Sequence, residues 1–199
     1  MGQRLYREHY YTCSNCQEAF IYDDSFKVSG ETIFKELETA SPIVNNSRGK
    51  AGDQAFVVTG CASIFLERGM FNIHSIQWND GQSGFLIEND GDFFMAEEIR
   101  KVAPAGFKKV NPGKETELPA FGKAYCYSMD KISYISLNAT GKLAFPKYTD
   151  AVCCGFYKEA NEGAYAFISR EEVSFLTGKF YEFKDLNLSP VRAIHEWYK

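Results

Sequence analysis

Asn79-Asp80-Gly81 is followed, one short segment later, by Asn89-Asp90-Gly91, with Phe85-Leu86-Ile87 between the two triplets and Phe93-Phe94 after the second. Asx-Gly pairs supply the positive φ angles of two-residue hairpin turns, and apolar runs on both sides supply the strands that such turns join. Gly81, Gly84 and Gly91 are all read as turn positions that need this freedom. A chain with two such corners in succession is committed to antiparallel β-structure in this region.

The same alternation extends on both sides. Apolar and aromatic runs at 55–59, 61–67, 71–78, 83–88 and 92–96 are separated by glycine-containing turns. A stretch rich in proline and glycine, 104–119, interrupts them, and runs resume at 124–128, 133–137, 151–157 and 164–168. Seventeen Phe and 12 Tyr favour strands, because flat rings pack well on a pleated surface. Short strands at this spacing predict a mainly β fold, an antiparallel barrel or sandwich, with a few short helices. Gly52–Phe94 can be laid loosely over Gly122–Tyr181, which suggests two similar halves, 52–103 and 119–188.

Three helical segments are expected. Ile33, Phe34 and Leu37 stand at helical spacing. Ser169-Arg170-Glu171-Glu172 matches a capping box, with Gly178 as the stop. Ser189-Pro190 forms a helix start, after which Val191, Ile194 and Tyr198 share one face, so a C-terminal helix is predicted. The polar segment 41–53, with Pro42, Gly49 and Gly52, reads as an exposed loop. It separates a small head, 1–40, from an antiparallel β domain, 50–199.

At 199 residues and 45% apolar content the chain can bury its own core. Its net charge of −4 is spread through the sequence. That argues against nucleic-acid binding, which draws on concentrated basic surface. Neither a signal peptide nor a membrane span is legible, so a cytoplasmic protein is expected, with its six cysteines reduced or bound to metal.

Cys13-Ser14-Asn15-Cys16 has the spacing of a zinc knuckle, in which two thiolates on a tight turn chelate one ion. His9 and one of Cys153 and Cys154 are candidates for the remaining ligands, since neighbouring residues of a strand face opposite ways. The bare-turn reading, with free thiols and no cofactor, stands beside zinc. A cysteine nucleophile needs a base, and His74 lies in a predicted strand within reach of Cys61 or Cys126 if the strands pair. The bland reading of His74 is a strand residue with a satisfied side chain. Glu67, Glu88, Asp90, Asp92, Glu97 and Glu98 read as turn carboxylates without an acid–base pairing.

Asp80-Gly81-Gln82-Ser83-Gly84-Phe85-Leu86-Ile87-Glu88-Asn89-Asp90-Gly91-Asp92-Phe93-Phe94 resembles the strand pair of a bacterial family called domain of unknown function 4178, with Phe85 where the family carries Trp. Gly122-Lys123-Ala124-Tyr125, Gly141-Lys142-Leu143-Ala144-Phe145-Pro146 and the segment Gly178–Leu186 come next in the family's order, so the resemblance covers about residues 50–192. Paired cysteines in a zinc-ribbon-like head, similar to Cys13 and Cys16, often open its members, although the second pair is missing here. The family brings no catalytic residues with it. Its members tend to be encoded beside envelope-stress and polyamine-related proteins, which implies an accessory or scaffolding role.

Two functions are expected from these features. One is a non-catalytic β module that binds a protein partner or itself through a sheet edge or through the aromatics of the head, Tyr6, Tyr10, Tyr11, Phe20 and Tyr22. The other is a β-barrel with a small-molecule pocket, or an enzyme built on Cys61, His74 or Cys126.

Overall fold

The computed structural model describes residues 41–107, 110–119, 121–137, 151–170 and 172–192, and four short strands at 9–12, 19–22, 28–31 and 143–144. These four are β1 (His9–Thr12), β2 (Ala19–Tyr22), β3 (Val28–Glu31) and β11 (Leu143–Ala144), paired in the order β11-β1-β2-β3. The helix expected around 33–37 and the Cys13–Cys16 turn lie outside the described residues.

A second sheet holds eleven strands. They are β4 (Ile43–Ala51), β5 (Gln54–Leu66), β6 (Met70–Trp78), β7 (Ser83–Asn89), β8 (Asp92–Val102), β9 (Lys114–Leu118), β10 (Gly122–Leu137), β12 (Val152–Tyr157), β13 (Glu162–Ile168), β14 (Val173–Tyr181) and β15 (Ser189–Val191). Every pairing is antiparallel, as the turn chemistry demands. Among the described residues there is no α-helix, only two short 3-10 turns at Pro104–Phe107 and Phe183–Leu186.

The sheet returns on itself through β10. Its first half pairs with β12, Tyr125 opposite Tyr157, and its second half pairs with β5, Ile135 opposite Ile64. Eight strands therefore form a partly closed ring, β5-β6-β7-β8-β14-β13-β12-β10. It is made of two four-stranded meanders, joined first strand to first strand and last strand to last strand. β4 and β15 extend the sheet beyond the first half of β5, and β9 extends it beyond the first half of β10. Register shifts at Val58/Gly60 and Cys126/Ser128 bend the two long strands where they change neighbours.

Strand alternation sends every second side chain into the lumen, and the lumen is full. Ile64, Ile73, Phe94, Phe167 and Leu176 are completely buried there. Phe94 and Tyr165 stack 5.2 Å apart between centroids, and Phe71 and Phe167 6.3 Å apart. Each such ring stabilises the fold by about 2–3 kcal/mol through removal of its surface from water. The outer faces are covered too. The segment after β8 lays Phe107 and Phe121 on Phe175, and the segment after β14 lays Phe183 on Phe93.

Four expectations are corrected. Segment 41–53 is not an exposed loop but mostly strand β4, whose Ile43, Ser47, Gly49 and Ala51 are buried. Ser169 does bond the Glu172 amide through its hydroxyl, but the bond closes the turn between β13 and β14, and the chain continues from there as a strand. Ser189–Val191 form β15 against β4 instead of a first helical turn, held by Ser47 Oγ donating to the Pro190 carbonyl at 2.6 Å. Proline is tolerated there because β15 ends the sheet, and residues 193–199 lie outside the described set. Finally, Gly81 and Gly91 have φ of 85° and 89°, but Gly84 is a strand residue of β7. It is small because the Trp78 indole would lie 2.7 Å from any Cβ added there.

Candidate functional site

Cys61 and Ser63 on β5, Asn72 and His74 on β6, and Glu88 on β7 alternate with the lumen residues Ala62, Ile73 and Ile87, so their side chains gather on the outer face of the first meander. Register brings them side by side: Cys61 opposes His74, Ser63 opposes Asn72, and Asn72 opposes Glu88. Ser41, just ahead of β4, closes over them. Ser41 and His74 are fully buried, and Glu88 keeps 5% of its surface.

Glu88 Oε2 is the hub. It accepts hydrogen bonds from Ser41 Oγ at 2.5 Å, Asn72 Nδ2 at 3.2 Å and His74 Nε2 at 3.2 Å. Ser63 Oγ donates to Asn72 Oδ1 at 2.7 Å and holds the amide in the orientation that turns its NH2 toward the carboxylate. Because a carboxylate only accepts, Nε2 of His74 carries its proton. The ring is then held between β7 and β5, with Nδ1 buried and without a hydrogen-bond partner. Burial opposes a charge on this imidazole, yet Cys61, and after it Glu88, outweigh burial and lift its pKa to about 9.

Cys126 does not join this group. It packs with Cys154 in the outer core of the second meander, and its Sγ–H points to the Ser128 carbonyl at 3.3 Å. Cys153 and Cys154 face opposite ways, Cys153 into the lumen and Cys154 outward. Burial pushes the thiols of Cys126, Cys153 and Cys154 up, that of Cys154 to about 12. His9 lies in β1 opposite Tyr22 and Ala144. Among the described residues no group of three or more His, Cys, Asp or Glu is placed to hold a metal ion. Cys13 and Cys16 are outside that set.

The expectation of a turn carboxylate at Glu88 is corrected: it is a buried strand residue with three donors. Ser41 has no counterpart among the sequence candidates. A signal for Glu88 exists, since Asn72, His74 and Glu88 are polar residues set into apolar strands, two of them at the period-2 spacing of a single face.

A second feature lies at the end of the ring that carries the β7–β8 and β12–β13 turns. Tyr125, Tyr127 and Tyr157 lie together there with 36–46% of their surface exposed. Tyr127 donates to the Tyr165 hydroxyl at 2.7 Å, which closes the lumen beneath it. Burial raises the pKa of both phenols, that of Tyr165 to about 12, so both remain proton-bearing. Gly155 leaves room for the Tyr127 ring, whose Cζ lies 2.5 Å from where a Cβ would be, and Gly163 does the same for Phe180. Tyr157 rests on Phe180 at 6.1 Å between centroids.

Among the described residues no helix is long and apolar enough to cross a membrane. No family model, curated protein or solved structure matches the chain.

Proposed function

We propose that this protein is a non-catalytic β-barrel module that holds another polypeptide, a second copy included, against its tyrosine-bearing end. The observation that carries the reading is the concentration of Tyr125, Tyr127 and Tyr157 at one end of a ring whose interior holds packed aromatic side chains. Phe71, Phe94, Tyr165 and Phe167 pack together in the lumen, which supports a partner lying across the rim. Tyrosine suits such a rim because it offers a large rigid surface and a hydroxyl at low conformational cost, and it is enriched where proteins meet. The sheet ends are less suited. β9 carries Lys114, Glu115 and Glu117, and β15 carries Pro190, both of which discourage strand addition.

The motifs shared with the domain of unknown function 4178 family support the same reading. Asp80–Phe94, Gly122–Tyr125 and Gly178–Tyr181 are strands and turns of the ring, so what the resemblance keeps is scaffold. An accessory role within bacterial envelope-stress systems is the setting which that resemblance implies.

The test is a photo-crosslinking residue at the rim, Tyr157→p-benzoylphenylalanine, compared with Lys50→p-benzoylphenylalanine on β4, the strand that extends the sheet outside the ring. A discrete protein-sized adduct from position 157, absent from position 50 and lost when Tyr125→Ser is added, is the expected result. Equal adducts at both positions, or none at 157, would exclude the proposal.

A further inference from the structure

The outer face of the first meander carries a second, independent assignment. We infer that Cys61 is a reactive thiol for hydroperoxides, with His74 as the base that takes its proton and Glu88 as the residue that positions the base.

Three observations combine. Cys61 faces His74 directly across the β5–β6 pair, whereas Cys126 and Cys154 lie in the outer core of the second meander and Cys153 in the lumen, with no imidazole acting on them among the described residues. Glu88 holds Nε2–H, which leaves Nδ1 as the other end of the ring, buried and without a hydrogen bond of good geometry, with Cys61 acting on the ring from β5. A buried nitrogen without a partner costs about 1–3 kcal/mol, and such a cost persists where the group has another use. The raised pKa of His74 agrees, since its neighbours favour the proton on the ring. The titratable groups acting on that ring among the described residues are Cys61 from β5 and Glu88 from β7, while the segment leading into β4 adds the neutral Ser41.

Access selects the substrate class. Cys61 is 8% exposed and His74 is fully covered, so a bulky acyl or peptide substrate does not reach the sulfur. Hydrogen peroxide is small and uncharged and enters through local opening. In the fraction of molecules whose ring is neutral, the proton of Cys61 passes to Nδ1, and the thiolate attacks one peroxide oxygen. The S–O bond forms as the O–O bond breaks, and the leaving hydroxide takes the proton back from the imidazolium as water. Sulfur is oxidised by two electrons to the sulfenic acid and peroxide is reduced to water. Among the described residues no second thiol shares this cluster, so the sulfenic acid persists until an external thiol meets it.

The experiment uses the full chain with hydrogen peroxide and dimedone, each cysteine read from its own peptide by mass spectrometry so that Cys13 and Cys16 are kept apart. Cys61 should be trapped about tenfold faster than Cys126, Cys153 and Cys154. His74→Gln should bring it to within about twofold of those three. Glu88→Gln, which keeps the volume, should move the pH midpoint of Cys61 trapping, a readout that a merely structural role would leave in place. Trapping of Cys61 no faster than the other three in the unaltered protein would overturn the inference, and that comparison stands even if a variant fails to fold. Unchanged trapping in folded His74→Gln would overturn it as well.

Discussion

Glu88 shows how much one buried carboxylate can organise. Three donors, Ser41 ahead of β4 and Asn72 and His74 on β6, converge on one of its oxygens. Glu88→Ala would strand all of them, so a loss of about 3–5 kcal/mol in unfolding free energy is expected from denaturant titration. Ser41→Ala removes one donor and should cost about 1–2 kcal/mol. His74 adds a dependence on pH. Its folded pKa of about 9 lies above the ordinary 6.5, so the charged ring contributes stability in full below pH 6.5 and loses it as pH rises through 9. The contribution is on the order of 3 kcal/mol. Melting temperatures of the unaltered protein and of His74→Gln should accordingly converge between about pH 6.5 and 10; a constant gap across that window would contradict the assignment. At this scale the sequence is only half legible. Cys61 and His74 can be paired by supposing a strand register, and the apolar run ahead of Glu88 sets it apart from Asp90 and Asp92, but its partner Ser41 lies 47 positions away and leaves no local trace.

Hairpins are the elements that local chemistry specifies best. Asp90 and Gly91 have φ of 50° and 89°, the pair of positive angles that the Asn-Asp-Gly corner predicts. Elements that tertiary pairing decides depart from their local patterns. The Ser169 capping pattern serves a turn because β14 has β13 and β8 to pair with, and 41–51 becomes a strand because β5 offers an edge for it. Long-range pairing overrides local propensity in both cases. Close approach between elements has its own signature. A Cβ on Gly178 would collide with the Met95 carbonyl, beside the register shift at Thr177/Gly178. Gly178→Ala should therefore destabilise by about 1–3 kcal/mol in the same titration, while Gly69→Ala, with open space around it, should change stability by less than about 0.5 kcal/mol.

At the scale of the molecule, one claim supports the rest: two meanders share a filled interior because β10 leaves β12 and joins β5. Aromatic alternation makes a barrel or sandwich legible, but the choice between them depends on that single change of neighbour, which joins Ile132–Leu137 to residues far away in sequence. A filled lumen predicts that Phe167→Ala costs about 3–5 kcal/mol, more than a half-solvated sandwich face would. Native-state hydrogen exchange at the seam tests the closure most directly. Amides that bridge 62–66 and 132–137 should exchange only through global unfolding, as slowly as those of β13. Exchange there within minutes, with β13 still protected, would mean an open sheet and would contradict the ring on which the filled lumen depends.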